Sequence, residues 1–399
     1  MPPDASWFNE AKFGMFIHWG VYSVPGRGEW MLYDEKMPFA EYRAYADQFA
    51  PRDWDPRAWV ELAKQAGQRY MVLTSRHHDG YCLFDSQLSP DNFTAPRTAA
   101  RRDLVADYLE ACRAGGLRTG LYYSLCDWHH PGWQAGPESR EWDGFIDYVH
   151  GQIRELCTNY GPLDVMWFDG GGPGCPACWR AEQLIKMIRE LQPNCLINNR
   201  GLLPADFDTP EQEIRASDEG RIWESCLIIA HRWGYYRNEQ YYKPATRLLL
   251  DLANIAHGGG NLILNVGPQP DGTIPAPQQE ILREMGRWLA RHGEAVYGTD
   301  RCQFGTHGTW VNGVTTARGN TLYLHLLLWP GPGWAFAELG NKVLSARMLT
   351  TGEPVEFIQR GDRVIFPSLP ETPPDPHLSV LALELDSPPR HSGEPRLWF

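Results

Sequence analysis

The sequence predicts a (β/α)8 barrel followed by a small antiparallel β-domain. Seven short apolar runs typical of strands alternate with stretches typical of helices as far as residue 291, which indicates repeated crossovers and a parallel sheet. Near residue 298 the pattern changes to β-rich runs separated by turns. We therefore expect a barrel over residues 1–297, a β-sandwich over 298–386 and a flexible tail, rich in proline and charge, over 387–399.

The sequence predicts seven barrel strands. They cover residues 14–19, 70–74, 119–124, 163–169, 195–198, 221–223 and 261–266. Because a barrel of this class has eight strands, we expect the missing one to be short. A doubly wound sheet is the alternative, but no glycine-rich phosphate-binding turn follows the first strand.

The predicted helices have local start and stop signals. Asp55 is an expected N-cap, Pro56 suits the first turn, and Gly67 closes the same helix. The other helices are expected over residues 39–49, 103–114, 142–157, 180–191, 244–256 and 278–291. The strands of the β-domain are expected over 309–316, 321–329, 343–350, 355–359, 363–366 and 378–385.

Composition narrows the class of partner. The 399 residues are 43% apolar and carry a net charge of −12, which argues against nucleic acid or an anionic membrane as partner. No apolar run approaches the ~20 residues of a membrane span, and the first residues lack an export signal. We expect a soluble, cytoplasmic protein with neutral ligands, and its 17 tryptophans favour carbohydrate, because aromatic rings stack on sugars.

Cysteine usage points to a reducing compartment. The nine cysteines are scattered through apolar segments, as expected of buried thiols. Only Cys175 and Cys178 have the spacing of metal ligands, and no second pair accompanies them. We expect a loop feature there rather than a zinc or redox site.

Polar residues follow the predicted strands, where a barrel places its functional groups. They are His18, His77, His78, Tyr123, Asp169, Arg200 and Glu224. Asp169 closes an apolar strand and precedes three glycines, which suits either a catalytic carboxylate or a turn residue. Each of these residues alone has a structural interpretation, but together they suit a ligand with many hydroxyl groups.

Other chemistries are less favoured. His18, His77, His78, His129 and His130 with Asp169 could hold a metal, yet adjacent histidines usually point apart and no HxH or HExxH spacing occurs. A serine nucleophile lacks its GxSxG turn. If Asp169 is a glycosidase nucleophile, a second carboxyl group is needed about 5 to 5.5 Å away. The loop after Arg200 offers six that the sequence does not rank: Asp206, Asp208, Glu211, Glu213, Asp218 and Glu219.

Eight ordered motifs between residues 7 and 300 carry a family resemblance. They read KFGMFIHWG at 12–20, HHDG at 77–80, YYS at 122–124, WFDG at 167–170, NR at 199–200, WE at 223–224, WGY at 233–235 and GGNLILNVGP at 259–268. Because it has these motifs in this order, the chain resembles glycoside hydrolase family 29, the retaining α-L-fucosidases. The resemblance implies an irregular (β/α)8 barrel with a C-terminal β-sandwich, hydrolysis of terminal α-L-fucose by double displacement, and no metal or cofactor.

The resemblance also implies roles for single residues. Asp169 matches the nucleophile, and Arg200 matches an arginine beside the reaction centre. The residues matching the sugar-binding positions are His18, Glu29, Trp30, His77, His78, Tyr123 and Trp233, of which Trp233 faces the methyl group. The segment Thr209-Pro210-Glu211 resembles one form of the acid/base loop, so Glu211 is expected in that role, with Glu213 in reserve.

Two expectations about the substrate follow from the same resemblance. A fucosylated oligosaccharide or glycoconjugate is the expected partner, and the acid/base loop resembles the branch that prefers α-1,3 and α-1,4 linkages. A non-catalytic fucose-binding protein on the same barrel is the alternative, and it would need a missing nucleophile or acid.

Overall fold

The computed structural model describes residues 3–171, 175–201, 204–218, 220–302, 304 and 312–393. Eight parallel strands form a nearly closed barrel, so the predicted fold class is confirmed. The barrel strands are β1 (Phe13–Ile17), β2 (Tyr70–Arg76), β3 (Arg118–Ser124), β4 (Val165–Asp169), β5 (Leu196–Ile197), β6 (Phe207–Asp208), β7 (Ile222–Ile228) and β8 (Asn261–Val266). They are ordered β5-β4-β3-β2-β1-β8-β7-β6, and a single parallel bridge between Asn198 and Phe207 joins the two ends.

The strand that sequence patterning missed is β6, which has only two residues. Asp206, just before it, holds it beside β5: its backbone nitrogen donates to the carbonyl of Ile197 at 2.8 Å, and its carboxylate accepts from the nitrogen of Ile197 at 2.7 Å. Two residues are too few to show a hydrophobic period. This strand is therefore irregular, and Asp206 has a structural role.

Helices pack around the barrel between its strands. Their bounds are α1 (Ser6–Ala11), α2 (Met31–Asp34), α3 (Phe39–Arg43), α4 (Pro56–Ala66), α5 (Leu104–Ala114), α6 (Pro131–Ala135), α7 (Glu141–Asn159), α8 (Ala181–Leu191), α9 (Ala245–His257) and α10 (Ala276–His292). Asp55 caps α4 as predicted, accepting from the backbone nitrogen of Arg57 at 3.0 Å. The predicted helix over 39–49 is split into α3 and a 3-10 segment, Ala44–Asp47.

The C-terminal part contains two antiparallel sheets. Its strands are β9 (Gly313–Arg318), β10 (Thr321–Leu326), β11 (Trp334–Phe336), β12 (Val343–Met348), β13 (Ile358–Arg360), β14 (Arg363–Phe366) and β15 (Ser379–Leu385). One sheet has the order β12-β15-β10-β9 and the other β11-β14-β13. The first sheet docks on α10, whose Trp288 indole donates to the carbonyl of Leu378 at 2.8 Å. Residues 309–311 of the predicted first strand lie outside the described residues.

Part of the predicted tail is bound to this domain. The backbone nitrogen of Arg390 donates to the side chain of Asn341 at 2.7 Å, and His391 pairs with Leu339. Residues 387–393 therefore pack on the loop before β12, whereas residues 394–399 lie outside the described residues. Along the described chain, no helix is long and apolar enough to cross a membrane.

Glu224 lies inside the barrel and not at a strand end, so its predicted position is wrong. The strand β7 begins at Ile222 and continues to Ile228, which places Glu224 near the amino end of the barrel, opposite Asn261. Its carboxyl group accepts hydrogen bonds from the hydroxyl of Tyr70 and from the indole nitrogen of Trp167, the latter at 2.9 Å. Burial raises the pKa of Glu224 to about 7, and no cation contacts it among the described residues.

Replacing Glu224 with glutamine is expected to change how stability depends on pH. Below pH 4.5 this carboxyl group is neutral in the folded and unfolded chains, so it adds no pH dependence there. Between pH 4.5 and about 7 the Glu224 carboxyl group ionises only in the unfolded chain. The free energy of unfolding therefore falls by on the order of 3 kcal/mol over this range. Glu224→Gln removes this loss, so the variant should gain thermal stability relative to the parent as pH rises from 5 to 8.

The measurement is a series of thermal unfolding curves at pH 5, 6, 7 and 8. Glu213→Gln serves as the control, because Glu213 is an exposed residue and its substitution should leave the pH dependence of the parent unchanged. If the unfolding temperature depended on pH equally in the parent and in Glu224→Gln, the expected effect of burial on Glu224 would be contradicted.

Candidate active site

A cavity of about 490 Å³ opens at the carboxyl ends of the barrel strands. The predicted site residues that line it are His18, Trp30, His77, His78, Asp169, Arg200, Glu211 and Trp233. Residues that sequence reasoning did not select also line it: Phe16, Tyr33, Tyr122, Cys126, Trp128, Trp133, Trp167 and Cys226. Most of these additions are aromatic. Phe16, Tyr122 and Trp167 lie within the quoted motifs, whereas the excess of tryptophan was the only signal for Trp128 and Trp133.

Asp169 is the last residue of β4 and lies at the centre of this cavity. Its Oδ1 accepts from Nη1 of Arg200 at 2.8 Å, and its Oδ2 accepts from the hydroxyl of Tyr122 at 3.0 Å. Nε2 of His78 lies 3.6 Å from the same Oδ2. Burial opposes ionisation, but the neighbouring His78 and the guanidinium of Arg200 outweigh it and hold the pKa of Asp169 below its ordinary value. Asp169 is therefore an ionised and positioned carboxylate.

The glycine after Asp169 is required by the close packing of the site. Gly170 has a φ of +67°, a conformation that side chains rarely adopt. A Cβ there would lie 2.8 Å from Sγ of Cys126 and 3.0 Å from the ring of His78. The glycine thus allows the chain to turn away from β4 without displacing His78 from Asp169.

Arg200 links Asp169 to Glu211. Its Nη1 also donates to Oε2 of Glu211 at 2.7 Å, while Nε donates to the hydroxyl of Thr209 at 3.0 Å. The guanidinium lies over the ring of Trp167, 4.9 Å from its centre. Because Oδ1 of Asp169 and Oε2 of Glu211 contact the same nitrogen atom, these two oxygens lie no more than about 5.5 Å apart, which is compatible with the short carboxyl separation of a retaining glycosidase.

The loop that carries Glu211 is fixed by β7. The nitrogen of Cys226 donates to the carbonyl of Pro210 at 3.1 Å, and the nitrogen of Gln212 donates to the carbonyl of Cys226 at 3.0 Å. Gln212 has a φ of +53°, so the chain turns directly after Glu211. This pairing directs Glu211 into the cavity and leaves its side chain 42% exposed.

The other carboxyl candidates among the described residues do not line the cavity. Glu213 pairs with Nη2 of Arg215 at 3.1 Å, and Asp208 pairs with Nη2 of Arg221 at 2.6 Å. Asp206 holds β6 in place, as described above, and Asp218 is exposed. Glu219 lies outside the described residues.

Three histidines form one wall of the cavity. Nδ1 of His18 contacts Oδ1 of Asn265 at 2.7 Å, and Nδ1 of His78 contacts the hydroxyl of Ser124 at 2.7 Å. Burial lowers the pKa of His18 to about 3 and that of His78 to about 4, so both rings are neutral at pH 7. His77 is also buried, and its Nδ1 has no hydrogen-bond partner in the part of the chain that the structure describes. Neutral rings of this kind exchange hydrogen bonds with sugar hydroxyls.

The structure corrects the predicted role of Tyr123. Successive side chains of a strand point to opposite faces, and on β3 it is Tyr122 that points into the cavity. Tyr123 points outward, where its hydroxyl donates to Oε1 of Gln152 at 2.8 Å and its ring lies under the guanidinium of Arg76. The sequence motif contains both tyrosines, and only the register of β3 tells them apart.

Removing the hydroxyl of Tyr122 is expected to lower activity. In Tyr122→Phe the carboxylate of Asp169 loses one of its donors, so we expect kcat on an aryl α-L-fucoside, the substrate that the family resemblance implies, to fall about tenfold. Tyr123→Phe is the matched control at the neighbouring position, and it should leave kcat within about twofold. A larger loss in Tyr123→Phe than in Tyr122→Phe would contradict this assignment of the two faces.

Glu29 lies beside the cavity but is not among the residues that line it. Its side chain is buried, and Oε2 accepts from the backbone nitrogen of Gly234 at 2.8 Å. It thereby holds the segment that carries Trp233, whose ring lies 5.0 Å from that of His18. A direct contact of Glu29 with a sugar stays a prediction.

The histidines and cysteines considered as metal ligands do not form a metal site in the described part of the chain. Within the described ranges, no three His, Cys, Asp or Glu residues have an arrangement that could hold a metal ion. His129 stacks on Phe39, and His130 accepts from the nitrogen of Gly132 at 3.1 Å. Cys175 and Cys178 lie before α8, where the nitrogen of Cys178 donates to Sγ of Cys175 at 3.3 Å.

Comparison with known proteins identifies the family. The family model described as α-L-fucosidase matches residues 2–294. Human plasma α-L-fucosidase is 31% identical over 404 residues, which covers 92% of this chain and 86% of that protein. Both the barrel and the ordered motifs within it fall inside these matches.

Solved structures agree with the sequence comparison. The α-L-fucosidase isoenzyme 1 from Paenibacillus thiaminolyticus superposes with a TM-score of 0.90 and 36% identity, covering 96% of this chain and 99% of its own. A family 29 α-L-fucosidase from Bacteroides thetaiotaomicron, trapped as a covalent intermediate with 2-fluoro-fucosyl fluoride, superposes with a TM-score of 0.86 and 26% identity, covering 96% of both chains. The chain therefore belongs to the α-L-fucosidases of glycoside hydrolase family 29.

Proposed function

We propose that the protein releases terminal α-L-fucose from fucosylated glycans with retention of configuration, using Asp169 as nucleophile and Glu211 as acid and base. The observation that carries this proposal is that one nitrogen atom of Arg200 contacts both carboxylates. Two carboxyl groups held this close together support a mechanism in which one of them attacks the sugar directly, whereas an inverting enzyme keeps them further apart to admit a water molecule.

In the first step Asp169 attacks the anomeric carbon. The bond from that carbon to the leaving oxygen breaks, and Glu211 transfers its proton to this oxygen. The leaving oxygen would replace Arg200 as the hydrogen-bond partner of Glu211. The ion pair with Arg200 and the hydrogen bond from Tyr122 keep Asp169 ionised for the attack.

In the second step water replaces Asp169. Glu211, now ionised, removes a proton from the water molecule as its oxygen attacks the anomeric carbon, and Asp169 leaves as a carboxylate. Arg200 is placed to stabilise each carboxylate while it is charged. Each displacement inverts the anomeric carbon, so two displacements retain its configuration.

The walls of the cavity suit a 6-deoxy sugar. His18, His77 and His78 offer neutral ring nitrogens for the hydroxyls, while Trp233 and Phe16 form an apolar corner, with ring centres 5.9 Å apart. A sugar that carries a hydroxyl on its sixth carbon would bury that group without a partner, at a cost of about 1–3 kcal/mol. This cost supports preference for fucose over its 6-hydroxylated counterpart.

The direct test is release of fucose from an aryl α-L-fucoside, followed by proton NMR of the first product. We expect turnover and an initial α-L-fucose signal that later mutarotates. Initial β-L-fucose would contradict the retaining mechanism, and a folded protein with no turnover on aryl or oligosaccharide substrates would favour the non-catalytic alternative.

We propose further that α-1,3 and α-1,4 linkages are preferred. The support is the segment Thr-Pro-Glu-Gln-Glu at 209–213, whose first glutamate lines the cavity. Rates on α-1,2, α-1,3, α-1,4 and α-1,6 fucosides test this preference. Equal rates, or faster release from α-1,2 or α-1,6 linkages, would refute it.

A further inference from the structure

Three aromatic residues form a rim at the mouth of the cavity: Trp30, Tyr33 and Trp128. The ring of Trp30 lies 5.0 Å from that of Trp128 and 5.7 Å from that of Tyr33, and Tyr33 lies 5.4 Å from Trp128. Trp30 is 37% exposed and Tyr33 is 61% exposed. A contiguous cluster of three rings, two of them exposed and Trp128 half-buried, is unusual on a protein surface and indicates a binding site.

A second cavity of about 400 Å³ adjoins this aromatic rim. Tyr33 and Trp128 line both cavities, so these two residues form the boundary between them. The other walls of the second cavity combine apolar and polar groups. The apolar residues are Leu32, Met37 and Phe39, and the polar residues are Lys36, His129 and Gln134.

The aromatic rim is close to the reacting atoms. The ring of His78 lies 5.5 Å from that of Trp30 and 5.1 Å from that of Trp128, and His78 lies 3.6 Å from Oδ2 of Asp169. Asp169 is therefore separated from the rim by a single side chain. A sugar unit next to one bound at Asp169 would reach the rings.

We propose that the aromatic rim and the adjoining cavity bind a further, neutral sugar unit of the fucosylated glycan. This inference rests on the proposed fucosidase function. The rings would stack on the C–H face of a pyranose, and the polar residues around the second cavity would accept or donate hydrogen bonds to its hydroxyls. The preferred substrate class is thus a neutral oligosaccharide rather than a simple fucoside.

Tyr33→Ala tests this site, because the rings that Tyr33 contacts are Trp30 and Trp128 and it makes no contact with Asp169, Arg200 or Glu211 among the described residues. Two substrates are compared: α-L-fucosyl fluoride, which has no second sugar, and a neutral fucosylated trisaccharide. We expect the ratio of kcat/KM for the trisaccharide to that for the fluoride to fall about tenfold, mainly through KM. Tyr33→Phe keeps the ring and should restore the ratio of the parent.

The control is Tyr241→Ala, which removes an exposed ring, 77% exposed, from a part of the surface away from the rim. Its ratio should equal that of the parent. Equal losses on both substrates in Tyr33→Ala, or an unchanged ratio, would overturn the proposed site while leaving the fucosidase function intact. Absence of turnover of both substrates by the parent protein would instead contradict the proposed function itself.

Discussion

Replacing Asp169 with alanine is expected to abolish hydrolysis, with kcat on an aryl α-L-fucoside falling roughly 10⁴-fold or more. The carboxylate is the group that would bond to the anomeric carbon, and its neighbours Arg200, Tyr122 and His78 all serve to keep it ionised and oriented. No other described carboxylate that lines the cavity has these contacts, since Glu211 meets only Arg200. The measurement is steady-state release of the aryl group, with folding checked by circular dichroism.

The control for Asp169→Ala is a substitution of Asp164, which directly precedes the strand that Asp169 ends. Asp164 precedes β4 at the amino end of the barrel, where it pairs with Nη1 of Arg118 at 2.8 Å. Asp164→Asn should keep kcat within about threefold. A folded Asp169→Ala variant with more than a hundredth of the parental kcat would contradict the nucleophile assignment.

Replacing Glu211 with alanine is expected to cause the second large loss of hydrolysis. Without a proton donor, hydrolysis of fucosides with poor leaving groups should fall about 10²- to 10⁴-fold, whereas fucosides with very acidic leaving groups should lose less in the first step. The fucosyl-enzyme would then accumulate, because no base activates water. Azide needs no base, so it should restore turnover.

The configuration of the azide product separates the two carboxylates. In Glu211→Ala azide attacks the fucosyl-enzyme, so two inversions give α-L-fucosyl azide. In Asp169→Ala azide occupies the vacated space and attacks the substrate itself, so one inversion gives the β-azide. Proton NMR of the products distinguishes these outcomes.

Glu213→Ala is the matched control for Glu211→Ala. Glu213 lies two residues further along, outside the cavity and paired with Arg215, so its removal should change kcat less than twofold. If azide rescued Glu213→Ala while Glu211→Ala remained active without azide, the acid/base assignment would be reversed.

Local sequence patterns predicted the parts of the fold that are regular. The apolar run at 163–169 became β4, and the signals at Asp55 and Gly67 marked the ends of α4. The patterns did not predict an element that is very short, and they did not predict the end of a strand that continues beyond its apolar run. Two-residue β6 has no period, and β7 extends past Trp223, which moved Glu224 from a presumed strand end into the interior.

The family motifs named the site residues without giving their directions. In the tyrosine pair at 122–123 only the register of β3 against β4, with Tyr122 opposite Trp167, places Tyr122 beside Asp169. Among six acidic residues after Arg200, only the pairing of the 209–212 loop with Cys226 directs Glu211 inward. Both choices depend on contacts between distant segments, which no local pattern contains.

The sequence by itself determined the fold class and the family, and it predicted Asp169, at the end of the fourth strand, as the nucleophile. Those features are encoded by runs of neighbouring residues, whose periodicity, glycines and motif order are visible without coordinates. Tertiary structure alone decided which tyrosine lines the cavity, which glutamate contacts Arg200, and where the aromatic rim opens onto a second cavity. The physical reason is that side-chain direction, burial and electrostatic coupling arise only when strands separated by tens of residues are brought into register.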